Sequence, residues 1–171
     1  GLGQDDWARQ LFACALESRL PTVVDADGLN LLAQNPQQRD NWILSPHPGE
    51  AARLLGVSTK DINADRFASI ELLQQKYGGT IILKGAGSLV RGVESSTLIC
   101  TDGNPGMASG GMGDALTGVI ASLWGQGLEQ TVSAQLGVCL HAAAADKAAL
   151  EGERGLLASD LMPWIRRLVN P

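Results

Sequence analysis

No stretch of this chain is long and apolar enough to span a bilayer, and nothing at its start reads as a signal peptide. It has no Lys/Arg cluster, and 13 basic against 18 acidic residues give a formal charge of −5. With a pI near 4.9, nucleic acid and anionic membrane surfaces are poor partners. Cysteine is scarce: Cys14, Cys100 and Cys139 are widely spaced, odd in number and form no CxxC pair. Neither a zinc site nor a disulfide framework is indicated, and buried reduced thiols in a cytoplasmic protein are expected. There is no internal repeat and no low-complexity tract. Abundant Leu, Ile and Val and a mean hydropathy of +0.03 exclude disorder. A length of 171 residues suits one acidic globular domain with a sizeable core.

Glycine is what the chain has in excess: 21 of 171 residues, about 12% against a usual figure near 7%. The glycines gather at Gly85-Ala86-Gly87 and between Gly103 and Gly113, where a backbone can approach a ligand closely. Residue 1 is Gly, and Gly1-Leu2-Gly3 reads as the end of a loop that something precedes, so a longer polypeptide is expected.

Short apolar segments alternate with helical patterns. Trp7 to Ser18 reads as an amphipathic helix behind Asp5 and Asp6, and Thr22 to Asp25 as a buried strand. Asp27-Gly28 opens a second helical run, Trp42 to Ser45 is a strand, and a short helix covers 50–55. Ser58 or Thr59 caps one longer helix carrying Ile62 to Leu73 and stopped by Gly78-Gly79. Thr80 to Lys84 is an apolar strand, followed by a hairpin of 88–91 with 96–101. Helices are expected over 115–124, over 129–150, and from about Ser159, with Pro163 in the first turn of the last. This alternation predicts βαβ units in an α/β sandwich. Ligands in such sheets bind beyond the carboxyl ends of the strands.

Four segments there can carry chemistry. The strongest runs from Thr101 to Gly118, a glycine-rich loop leading into a helix. Its free N–H groups and helix dipole suit an anion. Asp114, in the first turn, either complements the dipole or acts as general base for a hydroxyl attacking a phosphate. No Lys-Ser/Thr follows these glycines, so it is not a Walker loop; Leu116 breaks the GxGxxG spacing. In the second segment, Lys84-Gly85-Ala86-Gly87-Ser88 at a strand end, the lysine either reaches a phosphate or sits solvated beside a tight turn. In the third, Ser45-Pro46-His47-Pro48-Gly49-Glu50, the prolines fix His47 either for a polar substrate or for capping. In the fourth, Asp25 and Asp27 can orient a magnesium-bound phosphate or cap the next helix, with capping preferred for Asp27. His141, among alanines, reads as a satisfied core histidine.

Together VVDADGLNLL, ILSPHPGEAARLLG, TIILKGAGSLV and GNPGMASGGMGDALTGVIA resemble the NAD(P)H-hydrate dehydratase branch of the ribokinase-like superfamily, the carbohydrate-kinase-like domain of metabolite-repair proteins. They cover most of residues 22–124. Gly111 to Asp114 alone would indicate only the superfamily; the SPHPGE segment points to the dehydratase. The resemblance implies a three-layer sandwich with a mostly parallel sheet. It also implies an ADP- or ATP-dependent lyase that phosphorylates the ring hydroxyl of NADH or NADPH hydrate, after which phosphate leaves. On its terms Asp114 is catalytic and contacts the hydrate. Gly111, Met112 and Gly113 form an anion hole, Lys84, Gly85, Ala86, Gly87 and Ser88 hold the nucleotide with Gly113, and Gly3 and His47 line the hydrate pocket. Mg2+ comes with the nucleotide phosphates, with no metal held by protein ligands alone.

The resemblance further implies a homo-oligomer, a tetramer in the family, and a possible fused epimerase domain. The family domain begins well before Gly1, so residues 1–171 are read as the C-terminal portion of one such domain, lacking N-terminal strands and one wall of the pocket. The competing reading is an ATP-dependent small-molecule kinase of the same superfamily, which keeps the glycine-aspartate element but has no need of the His47 segment. A nucleotide-binding regulator without turnover would have no use for a base beside an anion hole.

Overall fold

The computed structural model describes residues 1–93 and 95–170. They fall into two compact units, Gly1–Gly85 with Leu89–Leu98, and Ala86–Ser88 with the chain from Ile99 onward. The strands are β1 (Thr22–Val24), β2 (Trp42–Leu44), β3 (Thr80–Leu83), β4 (Ser88–Arg91) and β5 (Leu98–Cys100), in the sheet order β1-β2-β3-β4-β5. β1, β2 and β3 are parallel, and β4 runs antiparallel to β3 with Ile82 opposite Val90. β2 and β3 are buried at every position. That suits continuous apolar runs such as Trp42-Ile43-Leu44, covered on both faces, rather than alternating ones.

The helices of the first unit are α1 (Asp6–Glu17), α2 (Ala26–Gln34), α3 (Pro48–Leu55), α4 (Thr59–Ala64) and α5 (Arg66–Tyr77). Asp5 caps α1 by accepting from the Ala8 N–H at 2.9 Å. The single long helix expected after Ser58 is two helices. Asp65 is extended (φ −147°, ψ 90°), ends α4, and turns its carboxylate onto the Ala68 N–H at 2.9 Å to cap α5. A side chain that bonds a neighbouring amide offers the backbone an alternative to continuing the helix, and here the alternative wins. Gly78 (φ +72°) then ends α5 where a β-carbon would stand 2.6 Å from the Arg39 carbonyl oxygen, so no other residue fits there.

This unit's core gathers Val24, Leu29, Leu32, Trp42, Leu44, Leu54, Ile70, Leu73, Tyr77 and Ile81. Two polar tips inside it find partners. The Trp42 indole donates to the Tyr77 carbonyl at 3.1 Å, and the Tyr77 hydroxyl to the Leu54 carbonyl at 2.8 Å; burial pushes the phenol's pKa up. The Lys76 ammonium also donates to the Leu54 carbonyl, at 2.7 Å. Tyr77→Phe therefore leaves that carbonyl satisfied, and the loss expected in urea unfolding is only about 1 kcal/mol. A loss several times larger would mean that the hydroxyl organises more of the core than this bond.

In the second unit a short 3-10 turn (Pro105–Met107) precedes α6 (Met112–Gly125) and α7 (Gln130–Ala149). Another 3-10 turn (Ala158–Leu161) leads into α8 (Met162–Leu168), with Pro163 in its first turn. α6 begins three residues before the Ala115 read from the sequence. The last helix is split into the 3-10 turn and α8. Gly137 on α7 admits Ile120 of α6, whose Cγ1 would lie 2.7 Å from an added β-carbon. Ala144, Ala145 and Ala148 pack with Met112, Leu156 and Leu161. Cys100 is buried and Cys139 partly so, whereas Cys14, expected inside, is exposed on α1. Among the described residues no helix is long and apolar enough to cross a membrane.

Candidate functional site

In the first unit the carboxyl ends of β1, β2 and β3 bring Asp25, His47, Glu50 and Lys84 together. The Lys84 ammonium lies 2.6 Å from Asp25 Oδ1 and 3.9 Å from Glu50 Oε2, with all three side chains mostly buried. Its backbone N–H donates to the Pro46 carbonyl at 2.9 Å, locking the start of the Lys84–Ser88 loop to the His47 segment. Removing one partner from such a triad would leave an uncompensated buried charge, far costlier than the pairing is worth. The ammonium is thus neither solvated nor directed only at a ligand.

His47 is the N-cap of α3. Its Nδ1 accepts from Gly49 N at 2.9 Å and Glu50 N at 3.4 Å, while Glu50 Oε2 accepts the His47 N–H at 2.7 Å. With Nδ1 accepting, the proton of the neutral ring sits on Nε2, which lies 3.5 Å from Glu50 Oε1. Half of the imidazole remains exposed. Capping and a face open to a ligand coexist. Gly3 donates its N–H to Asp27 Oδ2 at 2.8 Å, which is the main cause holding the Asp27 carboxyl below its usual pKa. Asp27 is therefore not the helix cap expected of it: Asp25 occupies the N-cap position, and the Asp27 carboxylate faces the Gly3 and Gln4 backbone and side chain instead.

Arg66 escaped the reading of the sequence. Its Nη2 donates to the Leu83 carbonyl at 3.0 Å and would stand 3.1 Å from a β-carbon on Gly85 (φ +150°). Burial lowers its pKa. A cation in the first turn of a helix opposes the dipole, and that mismatch at α5 was the available signal.

In the second unit lie Ala86, Gly87 and Ser88, and the loop that ends in α6. Gly111 (φ +86°) is the N-cap of α6 and offers no side-chain bond to its first turn. The N–H groups of Met112, Gly113 and Asp114 accordingly have no intrahelical acceptor. A side chain at Gly111 would have to take up a left-handed conformation. Asp114 is the third residue of the helix and exposed. His141 of α7 is buried and donates to the Met112 carbonyl. Its Nε2 has no partner among the described residues, so Nδ1 makes the bond and the ring is only half satisfied. Asp146 of α7, also missed, accepts from the Gly103 N–H and from Asn104 Nδ2, both at 2.9 Å. It lies near the C-terminal end of α7, where an anion opposes the dipole, and that mismatch was the only local signal for partners some forty residues away.

The arrangement in the second unit offers anion-binding amides beside a carboxylate; that in the first offers a half-exposed imidazole and a lysine fixed between two carboxylates. A bifunctional NAD(P)H-hydrate repair enzyme of Coxiella burnetii is 55% identical over 172 residues, covering 100% of this chain and 35% of that protein. An ADP-dependent (S)-NAD(P)H-hydrate dehydratase of Neisseria meningitidis is 40% identical over 158 residues, covering 88% of this chain and 53% of its own. The chain thus spans about a third to a half of the length of these relatives. Among solved structures, the ADP/ATP-dependent NAD(P)H-hydrate dehydratase of Bacillus subtilis, co-crystallised with ATP and Mg2+, superposes with a TM-score of 0.87 at 26% identity, over 99% of this chain and 61% of that one. The expected ribokinase-like fold is borne out by these similarities. Residues 1–167 match the family model described as NAD(P)H-hydrate dehydratase, and the chain belongs to that family.

Proposed function

We propose that the protein carrying this chain repairs NADH or NADPH hydrate, using ADP or ATP as phosphoryl donor. The observation that carries the reading is the uncapped start of α6, with Asp114 in its first turn, in a chain matched to the family over nearly its whole length. Asp114 takes the proton of the ring hydroxyl, whose oxygen attacks the terminal phosphorus. The bond from that phosphorus to the rest of the nucleotide breaks, releasing AMP from ADP or ADP from ATP. The amides of Gly111, Met112 and Gly113 hold the charge on the transferring group. Phosphate then leaves the ring carbon, a far weaker base than hydroxide, with the ring nitrogen lone pair assisting. A proton is lost from the neighbouring carbon, and the reduced nicotinamide is restored.

Lys84 to Ser88 line the nucleotide, with Gly85 kept bare for close approach; Gly3 and the exposed face of His47 line the hydrate. Among the described residues no three His, Cys, Asp or Glu side chains gather to hold a metal. Magnesium is commonly held by one or two carboxylates, water and substrate phosphates, and here it would enter with the nucleotide. Residues 1–171 form the C-terminal portion of one dehydratase domain in a cytoplasmic homo-oligomer, with a fused partner domain as in the bifunctional relatives.

The test is recovery of reduced-nicotinamide absorbance from NADH hydrate by the intact protein with ADP, ATP or no nucleotide. Recovery that depends on nucleotide supports the reading and identifies the donor. A nucleotide-binding protein that restores nothing would overturn it, and a stable phosphorylated product from ATP would indicate a small-molecule kinase.

A further inference from the structure

The loop 101–114 packs against residues 153–161 and against α7, which presents two rows of residues to it. Cys139, Ala142 and Asp146, spaced i, i+3 and i+7, lie on one face. The Cys139 and Cys100 thiols are hydrogen-bonded, and burial, more than this contact, pushes the Cys100 thiol up to about 11. The Ala142 methyl lies 3.8 Å from where a β-carbon on Gly103 would stand. The Asp146 carboxylate uses both oxygens, Oδ2 for the Gly103 N–H and Oδ1 for Asn104 Nδ2, each at 2.9 Å. Asn104 Oδ1 in turn accepts the Gly106 N–H at 3.1 Å, starting the turn Pro105–Met107. The second row is His141, Ala145 and Ala148. The two alanines pack in the cluster around Met112, and the imidazole holds the Met112 carbonyl. One row fixes the first residues of the loop and the other fixes its last.

We propose that Asp146 is a positioning residue for the α6 anion hole, acting through Gly103 and Asn104. The proposal rests on the phosphoryl-transfer reading above. The loop must place three amides on a transferring phosphoryl group, and glycines that permit such an approach also permit many other conformations. Something outside the loop has to select one. A carboxylate accepting two N–H donors forms charge-assisted bonds, roughly twice as strong as neutral ones, and it anchors the segment in direction as well as position. Misplacement of about 1 Å at a reacting group can cost 100-fold in rate. An anchor that touches neither nucleotide nor hydrate can therefore govern turnover.

Asp146→Ala and Asp146→Asn in the intact protein provide the test, read by steady-state kinetics and by amide hydrogen exchange at 112–114. Asp146→Ala is expected to lower kcat about tenfold or more while nucleotide KM stays within about threefold. Exchange at 112–114 should quicken about tenfold, with the middle of α7 unchanged. Asparagine keeps one acceptor oxygen but turns an NH2 toward a donor, so Asp146→Asn should fall between. Unchanged exchange in Asp146→Ala overturns the proposal whatever the rates, as does unchanged kcat in a variant whose exchange has quickened. If the unsubstituted protein itself lacks turnover while exchange still responds to Asp146, the phosphoryl-transfer reading fails and the anchoring stands.

Discussion

Asp114→Asn is expected to leave the protein folded and able to bind nucleotide while lowering hydrate repair by about 10²- to 10⁴-fold. Two roles compete for this carboxylate, and they predict different things. As a complement to the α6 dipole, its replacement costs about 0.3–1 kcal/mol of stability and nothing in rate at temperatures where the protein stays folded. As the base for the attacking hydroxyl, its replacement removes the one group in the first turn of α6 that can take a proton. Asparagine keeps the size and hydrogen-bonding reach of the side chain, so binding and packing survive. The sign of the charge effect on nucleotide binding also discriminates. A carboxylate beside anion-binding amides repels phosphate, and neutralising it should hold or tighten nucleotide affinity while turnover collapses. Turnover measured by recovery of absorbance, together with nucleotide titration and a urea midpoint, decides the matter. A variant with near-normal turnover and a small loss of stability would leave Asp114 only the dipole.

That Asp114, Gly111 and the Lys84 loop stand out as candidates in a bare sequence follows from local physics. A glycine run ending in a helix is a short-range pattern, and so are two prolines around a histidine. The same holds for β2 and β3, whose unbroken apolar runs identified covered strands. What escaped depended on bonds between distant residues or on one side chain choosing between two local partners. Asp65 divides a helix because its carboxylate caps Ala68, although the apolar spacing runs straight through it. Asp27 looks like a cap from its position, yet its carboxylate is drawn to Gly3, 24 residues away. Lys84 reads as a free cation; its pairing with Asp25 joins the ends of two strands 59 residues apart. Asp146 lay hidden for the same reason.

His141 was legible as buried but not as half satisfied, and that difference carries the second expectation: acidification from pH 6.5 to pH 4 should cost about 3 kcal/mol of stability through this one residue. Burial in α7 pushes its pKa down from 6.5 to about 4, opposed by the bond to the Met112 carbonyl. The folded protein thus keeps the ring neutral in a range where the unfolded chain takes up a proton. Since the unfolded state binds more protons between those two values, stability rises with pH across the window and is lost as pH falls through it; above 6.5 the residue contributes no slope. Asp27 and Asp61 are shifted the other way, below 3.8 by their hydrogen bonds with Gly3 and Ser58, and their stabilisation is lost only at more acidic pH. The window between pH 6.5 and 4 therefore separates the histidine from these two carboxylates, and a histidine variant separates it from the rest. His141→Gln keeps a donor for the Met112 carbonyl and removes the titration, so its urea midpoint should change far less over this range than that of the unsubstituted protein, even if it starts lower at pH 7. Parallel losses in the two proteins would mean that His141 is already protonated when folded, with its Nε2 proton bonded to a group that the buried geometry does not supply, and the half-satisfied ring would have to be abandoned.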